Sequence, residues 1–325
     1  MNFISKTLSL VLLLSNICAV AQEEQCIPNV ASSIKRIKTK GSSMKIHTKN
    51  FFEKDEYTSR MQNLFGFNNH FQGVAYDEAN KSFIISGGDV KKLQGDLIVT
   101  KKEGFREHSV SQRIHTAGDR SHWHAGGVTI RDNTLIVPVE TLNKENGTAE
   151  VYFYDLSKGK TLVLMDTKIT LDHQKTGSVD ITFNAKEKRY YLFAFSTDMF
   201  TIYKSYSNKI SDGFELDRIV ETNFYSGSNV KVLKQCDGEL FFADLSGKLL
   251  FSRFFRKKDY IKLYKYDFKT TNLEFMFQEN FKCKGKCKFR GASNIIIRNQ
   301  KPIILATKIF KESKKDLLYL STFSE

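Results

Sequence analysis

His70-Phe71-Gln72-Gly73-Val74-Ala75-Tyr76, His124-Ala125-Gly126-Gly127-Val128-Thr129-Ile130, Gly177-Ser178-Val179-Asp180-Ile181-Thr182-Phe183, Ser226-Gly227-Ser228-Asn229-Val230-Lys231-Val232 and Gly291-Ala292-Ser293-Asn294-Ile295-Ile296-Ile297 repeat one pattern, in which small or polar residues run into an apolar strand. Their starts are nearly evenly spaced along the chain, and the one longer interval, before Gly291, holds the charged insertion Ser252 to Asp259. A period of about 50 residues suits one four-stranded blade per repeat. Small residues open each repeat because innermost strands crowd around a central channel.

Further strands follow each opening. Ser82–Ser86, Asp96–Thr100 and a segment from His108 to Ile114 complete the first repeat, and Thr134–Pro138, Glu150–Tyr154 and Thr161–Leu164 the second. Gly and Asp punctuate the turns between them. The last repeat offers Pro302–Ala306 and Leu317–Leu320 and then ends one strand short. An incomplete ring leaves sticky edges, so the missing outer strand is expected from before the first repeat, with Lys45–Phe51 as the candidate. The expected fold is therefore an all-β, five-bladed β-propeller over residues 70–325, closed by an N-terminal strand from residues 22–69 that completes the last blade. A six-bladed ring that uses residues 26–69 as a blade is the main competitor.

Residues 1–21 read as a secretory signal peptide: Lys6, an apolar run from Leu8 to Leu14, and Ala19-Val20-Ala21 before Gln22. Cys18 leaves a lipoprotein as an alternative. The expectation is a secreted or periplasmic protein without a transmembrane segment. Losing Lys6 leaves 49 basic residues against 36 acidic, a formal charge of +13. That favours polar or anionic partners, either a small molecule or a polysaccharide; nucleic acid is not expected, and a monomer is. Four cysteines remain, and an even number in an exported chain permits two disulfides. Cys283 with Cys287 and Cys26 with Cys236 is the preferred pairing, among three possible.

The openings His70-Phe71-Gln72-Gly73-Val74 and His124-Ala125-Gly126-Gly127-Val128, the second running on to Leu135-Ile136-Val137-Pro138-Val139-Glu140, resemble an uncharacterised family of secreted propeller-like proteins with His-x-Gln-Gly-Val and His-x-Gly-Gly-Ile blocks. The resemblance covers residues 68–140. This chain has Ile136 and Glu140 where that family has Trp and Ala. The resemblance implies a fold and carries no reaction.

Aligned on the first valine or isoleucine of each repeat, Gly73, Gly127, Asp180, Asn229 and Asn294 superpose, with Gln72 one step earlier and His70 and His124 among the openings. Three readings follow. Asp180, Asn229 and Asn294 supply oxygen to Ca²⁺; or His70 and His124, with His122 or Asp180, hold Zn²⁺; or these groups tie turns and blade junctions together. A divalent metal is thus a candidate cofactor. His108, His115, His122 and His124 crowd into one short segment that also contains Arg120 and Trp123. Trp123 suits stacking on a sugar, with Arg120 and His122 gripping an anion, or packing against a blade. Binding of a polar ligand at the channel mouth through His70, Gln72, Arg120, His122, Trp123, Asn229 and Asn294 is the leading expectation. The alternative is a metal-dependent hydrolase, lactonase-like or phosphoesterase-like and less readily a glycosidase, with Asp180 and His124 catalytic and Glu140 or His70 assisting. No Gly-x-Ser-x-Gly elbow, phosphate loop or His-Glu-x-x-His occurs. The Lys-rich stretches from Ser33 to Lys49 and Lys282 to Arg290 suit an acidic polymer, or serve as charged protection of strand edges.

Overall fold

Asn29 accepts a hydrogen bond from Ser32 N, which caps helix α1 (Val30–Arg36). Val30 and Ile34 face inward on its apolar side while Lys35 and Arg36 close its last turn. The computed structural model describes residues 25–47, 69–89, 93–103, 108–119, 121–141, 147–159, 161–172, 175–222, 229–247, 259–283, 287–289, 291–312 and 315–325.

The rest is all-β. Strand β1 (Ser42–His47) precedes a meander of β2 (Asn69–Asp77), β3 (Ser82–Asp89), β4 (Gln94–Lys102) and β5 (His108–His115). The next sheet contains β6 (His124–Ala125), β7 (Thr129–Arg131), β8 (Thr134–Glu140), β9 (Ala149–Asp155) and β10 (Val163–Leu171); β6 and β7 both pair with β8. Two four-stranded sheets follow: β11 (Ser178–Asn184), β12 (Arg189–Phe195), β13 (Met199–Ser205) and β14 (Phe214–Glu221), then β15 (Val230–Lys234), β16 (Leu240–Gly247), β17 (Asp259–Tyr266) and β18 (Leu273–Phe281). Last come β19 (Ser293–Arg298), β20 (Lys301–Glu312) and β21 (Lys315–Phe323), with β1 antiparallel on β21.

The closing strand thus begins at Ser42, earlier than the expected Lys45, and residues 48–51 of the expected segment lie outside the described residues. It does one thing the sequence pattern did not indicate. Ile46 and His47 also pair in parallel with His108 and Ser109 of β5, while Ser293 pairs in parallel with Gly73, so eight strands close on themselves. Pairing both sides of β1 removes an exposed edge between the last sheet and the first.

Each sheet's first strand meets the next: β2 with β7, β7 with β11, β11 with β15, β15 with β19, and β19 with β2. Glycine permits the approach. A Cβ on Gly73 would lie 2.6 Å from Val128 N, and one on Gly126 2.4 Å from Gly177 O. These are backbone atoms that cannot swing aside. The result is a propeller-like radial arrangement with five apolar clusters, one at each junction of neighbouring sheets. One junction is aromatic: Phe193, Phe195, Phe200, Phe242 and Tyr266 pack at centroid separations of 4.8–6.4 Å. Truncating such a ring to alanine typically costs about 3–5 kcal/mol. Another junction admits α1, whose Ile34 lies with Phe281, Phe289 and Phe323. There the disulfide Cys26–Cys236 anchors the N-terminal segment to the fourth sheet, and Cys283–Cys287 closes a short loop. Among the described residues no helix is long and apolar enough to cross a membrane.

Candidate functional site

Three side chains from the aligned positions knit the inner strands together. Asp180 accepts from Thr129 Oγ1 at 2.7 Å, from Ile181 N at 2.9 Å and from Val232 N at 2.7 Å, joining three sheets. Asn229 Nδ2 donates to Phe289 O and Gly291 O, and Asn294 Nδ2 to Val74 O and Val128 O. Lys231, fully buried, donates to Val128 O at 2.9 Å and stands 4.0 Å from Asp180 Oδ1. Burial pushes its ammonium pKa down, opposed by the Asp180 charge. These groups do not form the single level that the alignment suggested. Asn229 reaches the loop before β19, whereas Asp180 and Asn294 lie on the wall of a cavity at the far ends of the inner strands. The stagger arises because neighbouring strands do not pair valine to valine: Gly127 faces Ser178, and Gly73 faces Ser293.

That cavity has a volume of about 1020 Å³. It lies where each first strand turns back into its second, so hairpin turns form the rim; Asn299 and Gln300, at φ 50° and 58°, make one of them. Thr129, Asp180 and Asn294 lie along the inner strands, and Arg131, Thr182, Lys234, Arg298, Tyr76 and Glu78 are the main polar groups of the remaining lining, beside apolar residues such as Ile130, Ile181 and Ile296. Arg298 pairs with Glu78 and lies over the Tyr76 ring at 5.5 Å. Burial and the Glu78 carboxylate raise the Tyr76 phenol, with Arg298 opposing. Arg131, 8% exposed, faces Asp132 at 3.4 Å and Gln25 Oε1 at 3.4 Å, and its buried Nε makes no hydrogen bond among the described residues. The Oδ1 atoms of Asn229 and Asn294 are likewise buried without a partner among the described residues.

The opposite end of the strands carries the histidines. His124 Nδ1 lies 2.9 Å from Glu140 Oε1 and its Nε2 lies 3.1 Å from Gln72 Nε2, so the carboxylate fixes the ring with its hydrogen on Nδ1. His122 contacts Thr148 Oγ1 at 2.9 Å and Ser121 Oγ at 3.0 Å. Trp123 corrects an expectation. It is 3% exposed and lies against Gly88 and Gly95 of the first sheet, where a Cβ would come within 2.9 Å of its ring and 2.7 Å of its carbonyl, so it is not a rim platform for stacking. His70 is placed by its backbone opposite Gly88, while its side chain and Arg120 lie outside the described residues. Among the described residues no three His, Cys, Asp or Glu side chains stand close enough to hold a metal ion. Of the expected His70, His124 and Asp180 metal set, His124 is held by Glu140 and Gln72 and Asp180 by Thr129 and Val232, while the His70 side chain lies outside the described residues.

The cavity walls were missed by the sequence reading, although a signal existed. Thr182 lies two positions beyond Asp180 and Arg298 four beyond Asn294, so each shares its strand face with a polar neighbour already singled out, and Arg131 lies two beyond Thr129 of the second repeat. The fully buried Lys231 gave no such signal, since a lysine on a strand reads as solvent-exposed.

No known protein family profile and no curated protein matches the chain. Among solved structures, it is similar to an exo-β-1,3-galactanase from Phanerochaete chrysosporium at 10% identity and a TM-score of 0.45, over 79% of this chain and 60% of the other. It is similar to a GH32 β-fructofuranosidase from Bombyx mori at 9% and 0.47, over 81% and 64%. An exo-1,5-α-L-arabinanase from a bovine ruminal metagenomic library shows 8% and 0.46, over 79% and 94%. The chain thus spans less than two thirds of the first two of these proteins. At these identities and scores the likenesses assign neither a family nor an activity.

Proposed function

We propose that this is an exported, five-bladed β-propeller, its last blade completed by β1, that binds a polar small molecule or a saccharide end in the cavity at the turn-side mouth of its central channel. The observation that carries the reading is the cavity itself. Its 1020 Å³ lies at the upper end of ordinary small-molecule sites, about 300–1,000 Å³, and polar side chains from separate sheets converge on it. A lining with Arg131, Lys234, Arg298, Thr182 and Asn294 matches hydroxyl and carboxylate groups rather than an apolar ligand. The staple of Asp180, Asn229, Asn294 and Lys231 keeps the inner strands rigid beneath the ligand, so little ordering is required on binding.

The test is titration calorimetry of the mature protein against a panel of neutral sugars, sugar acids and their short oligomers. A Thr182→Trp variant, which projects an indole into the cavity, and Arg131→Gln accompany it. Binding that Thr182→Trp abolishes and Arg131→Gln weakens by about tenfold supports the site, the expected size for one hydrogen bond to a charged group. Binding unchanged in both variants overturns it.

A hydrolytic reading rests on a different observation, the Glu140–His124 pair at 2.9 Å, which holds an imidazole as a carboxylate holds a general base. It predicts turnover of ester, lactone or glycoside substrates that falls by at least about 100-fold in His124→Gln. Absence of turnover across those substrates in the unaltered protein overturns it.

A further inference from the structure

Exposed lysines far apart in the sequence meet on the face where the end of β18 abuts the segment between α1 and β1. Lys282 N donates to Thr39 O at 2.8 Å, which sets Lys282 beside the flanking Lys38 and Lys40. Lys38 N donates in turn to Ser324 O, so the segment leaving α1 lies along the end of the chain. Beneath it, Ile34, Ile37, Phe281, Cys283, Cys287 and Phe289 form one apolar cluster, stiffened by the Cys283–Cys287 disulfide. The lysines therefore sit on a fixed frame. Lys35, Lys38, Lys40 and Lys282 are exposed and make no ion pair among the described residues; Arg36 and Lys301 share Glu325. Four lysines without ion pairs among the described residues, beside one carboxylate already shared by two cations, leave an excess of positive charge, whose self-repulsion an external anion relieves.

We infer that this face binds an anionic polysaccharide, at a site separate from the channel cavity. The residue types select the partner. Lysines are point charges suited to a chain of carboxylates or sulfates, and the forked arginine geometry used to read bases is nearly absent. The aromatics Phe281 and Phe289 are buried, so neither offers a stacking platform for unpaired bases. Ile34 and Ile37 are buried as well, so α1 turns no large apolar side chain toward a bilayer.

The experiment measures binding of a fluorescently labelled heparin oligosaccharide, sulfated and carboxylated, to the mature protein by polarisation at about 0.15 M salt. The Lys38→Gln, Lys40→Gln, Lys282→Gln triple variant is compared with Lys186→Gln, Lys209→Gln, Lys269→Gln, which removes the same charge from exposed positions elsewhere. Three lost surface contacts predict affinity weaker by about tenfold for the first triple and by less than about twofold for the second. Binding should also vanish near 1 M salt, where the screening length falls to about 3 Å. Equal losses in both triples would show that net charge alone is responsible and overturn the assignment, as would no binding at all. Displacement of the heparin by equal charge of single-stranded DNA, or by phosphatidylserine vesicles, would assign the face to nucleic acid or membrane instead. Melting curves of both triples, expected within about 1 °C of the parent because exposed substitutions stay near ±0.5 kcal/mol, separate lost binding from lost fold.

Discussion

Replacing Asp180 by Asn alters no shape and therefore isolates the charge and hydrogen-bond polarity of the channel staple. Asp180 receives hydrogen bonds from Thr129, Ile181 and Val232. With an amide at this position one acceptor becomes an NH₂ donor, leaving a buried N–H facing it, a loss of about 1–3 kcal/mol. The negative charge 4.0 Å from the fully buried Lys231 ammonium also disappears, and breaking a buried pair from one side costs about 3–5 kcal/mol. These terms overlap, so we expect about 4 kcal/mol in total. With an unfolding entropy of about 2.1 cal/mol/K per residue over roughly 300 residues, the melting temperature should fall by about 6 °C. Scanning calorimetry measures it. The Asp180→Asn, Lys231→Met double variant removes both charges and should be less destabilised than the two single changes summed, by at least about 1 kcal/mol. The folded-state pKa of Lys231 is lowered, so its unfavourable contribution is fully present below that pKa and relieved as pH rises toward 10.5. In Asp180→Asn the relief begins at lower pH. A variant melting within about 1 °C of the parent, with additive single and double changes, would refute the staple and leave Asp180 available for chemistry.

The two disulfides should differ in weight. Cys26–Cys236 spans 210 residues and Cys283–Cys287 spans 4, so chain entropy assigns them about 5 and about 2 kcal/mol; relative to the parent, the Cys26→Ser, Cys236→Ser double variant should therefore lower the melting temperature more than the Cys283→Ser, Cys287→Ser pair, and the reverse order would refute this. Asp119 is held at a pKa of about 2 by the Ser121 hydroxyl and the His122 and Ser121 amides. Its support of the turn before Trp123 is present above the ordinary value of 3.8 and lost as pH falls through about 2. Fluorescence of Trp123, the chain's one tryptophan, should change with that midpoint in the parent and lose the transition in Asp119→Asn. Gly73→Ala should destabilise by at least about 2 kcal/mol, since its methyl would overlap Val128 N and Gly127 Cα, neither of which moves without parting two inner strands; a neutral result by thermal melting would show that the strands stand farther apart.

What the sequence determined by itself was periodic and local: five openings rich in small and polar residues, alternating strands, and an N-terminal stretch with the alternation of a missing outer strand. Those signals are readable because strand periodicity and the crowding of a channel constrain residue size at every repeat. The cysteine pairing was a preference that the fold realised by bringing Ile27 beside Gln235 and Cys26 within reach of Cys236. What only tertiary structure decided was depth and partnership. Aligning repeats valine to valine placed Asp180, Asn229 and Asn294 at one level, but the parallel bridges set neighbouring strands out of step, and only Asp180 and Asn294 line the cavity. Lys231 went unseen because a lysine declares its charge but not its burial. Trp123 could stack on a ligand or pack on glycine, and Gly88 and Gly95, from the preceding repeat, settled it. The meeting of Lys282 with Thr39 is of the same kind, a contact between residues whose own surroundings in the sequence are unrelated, set by the closure of the ring.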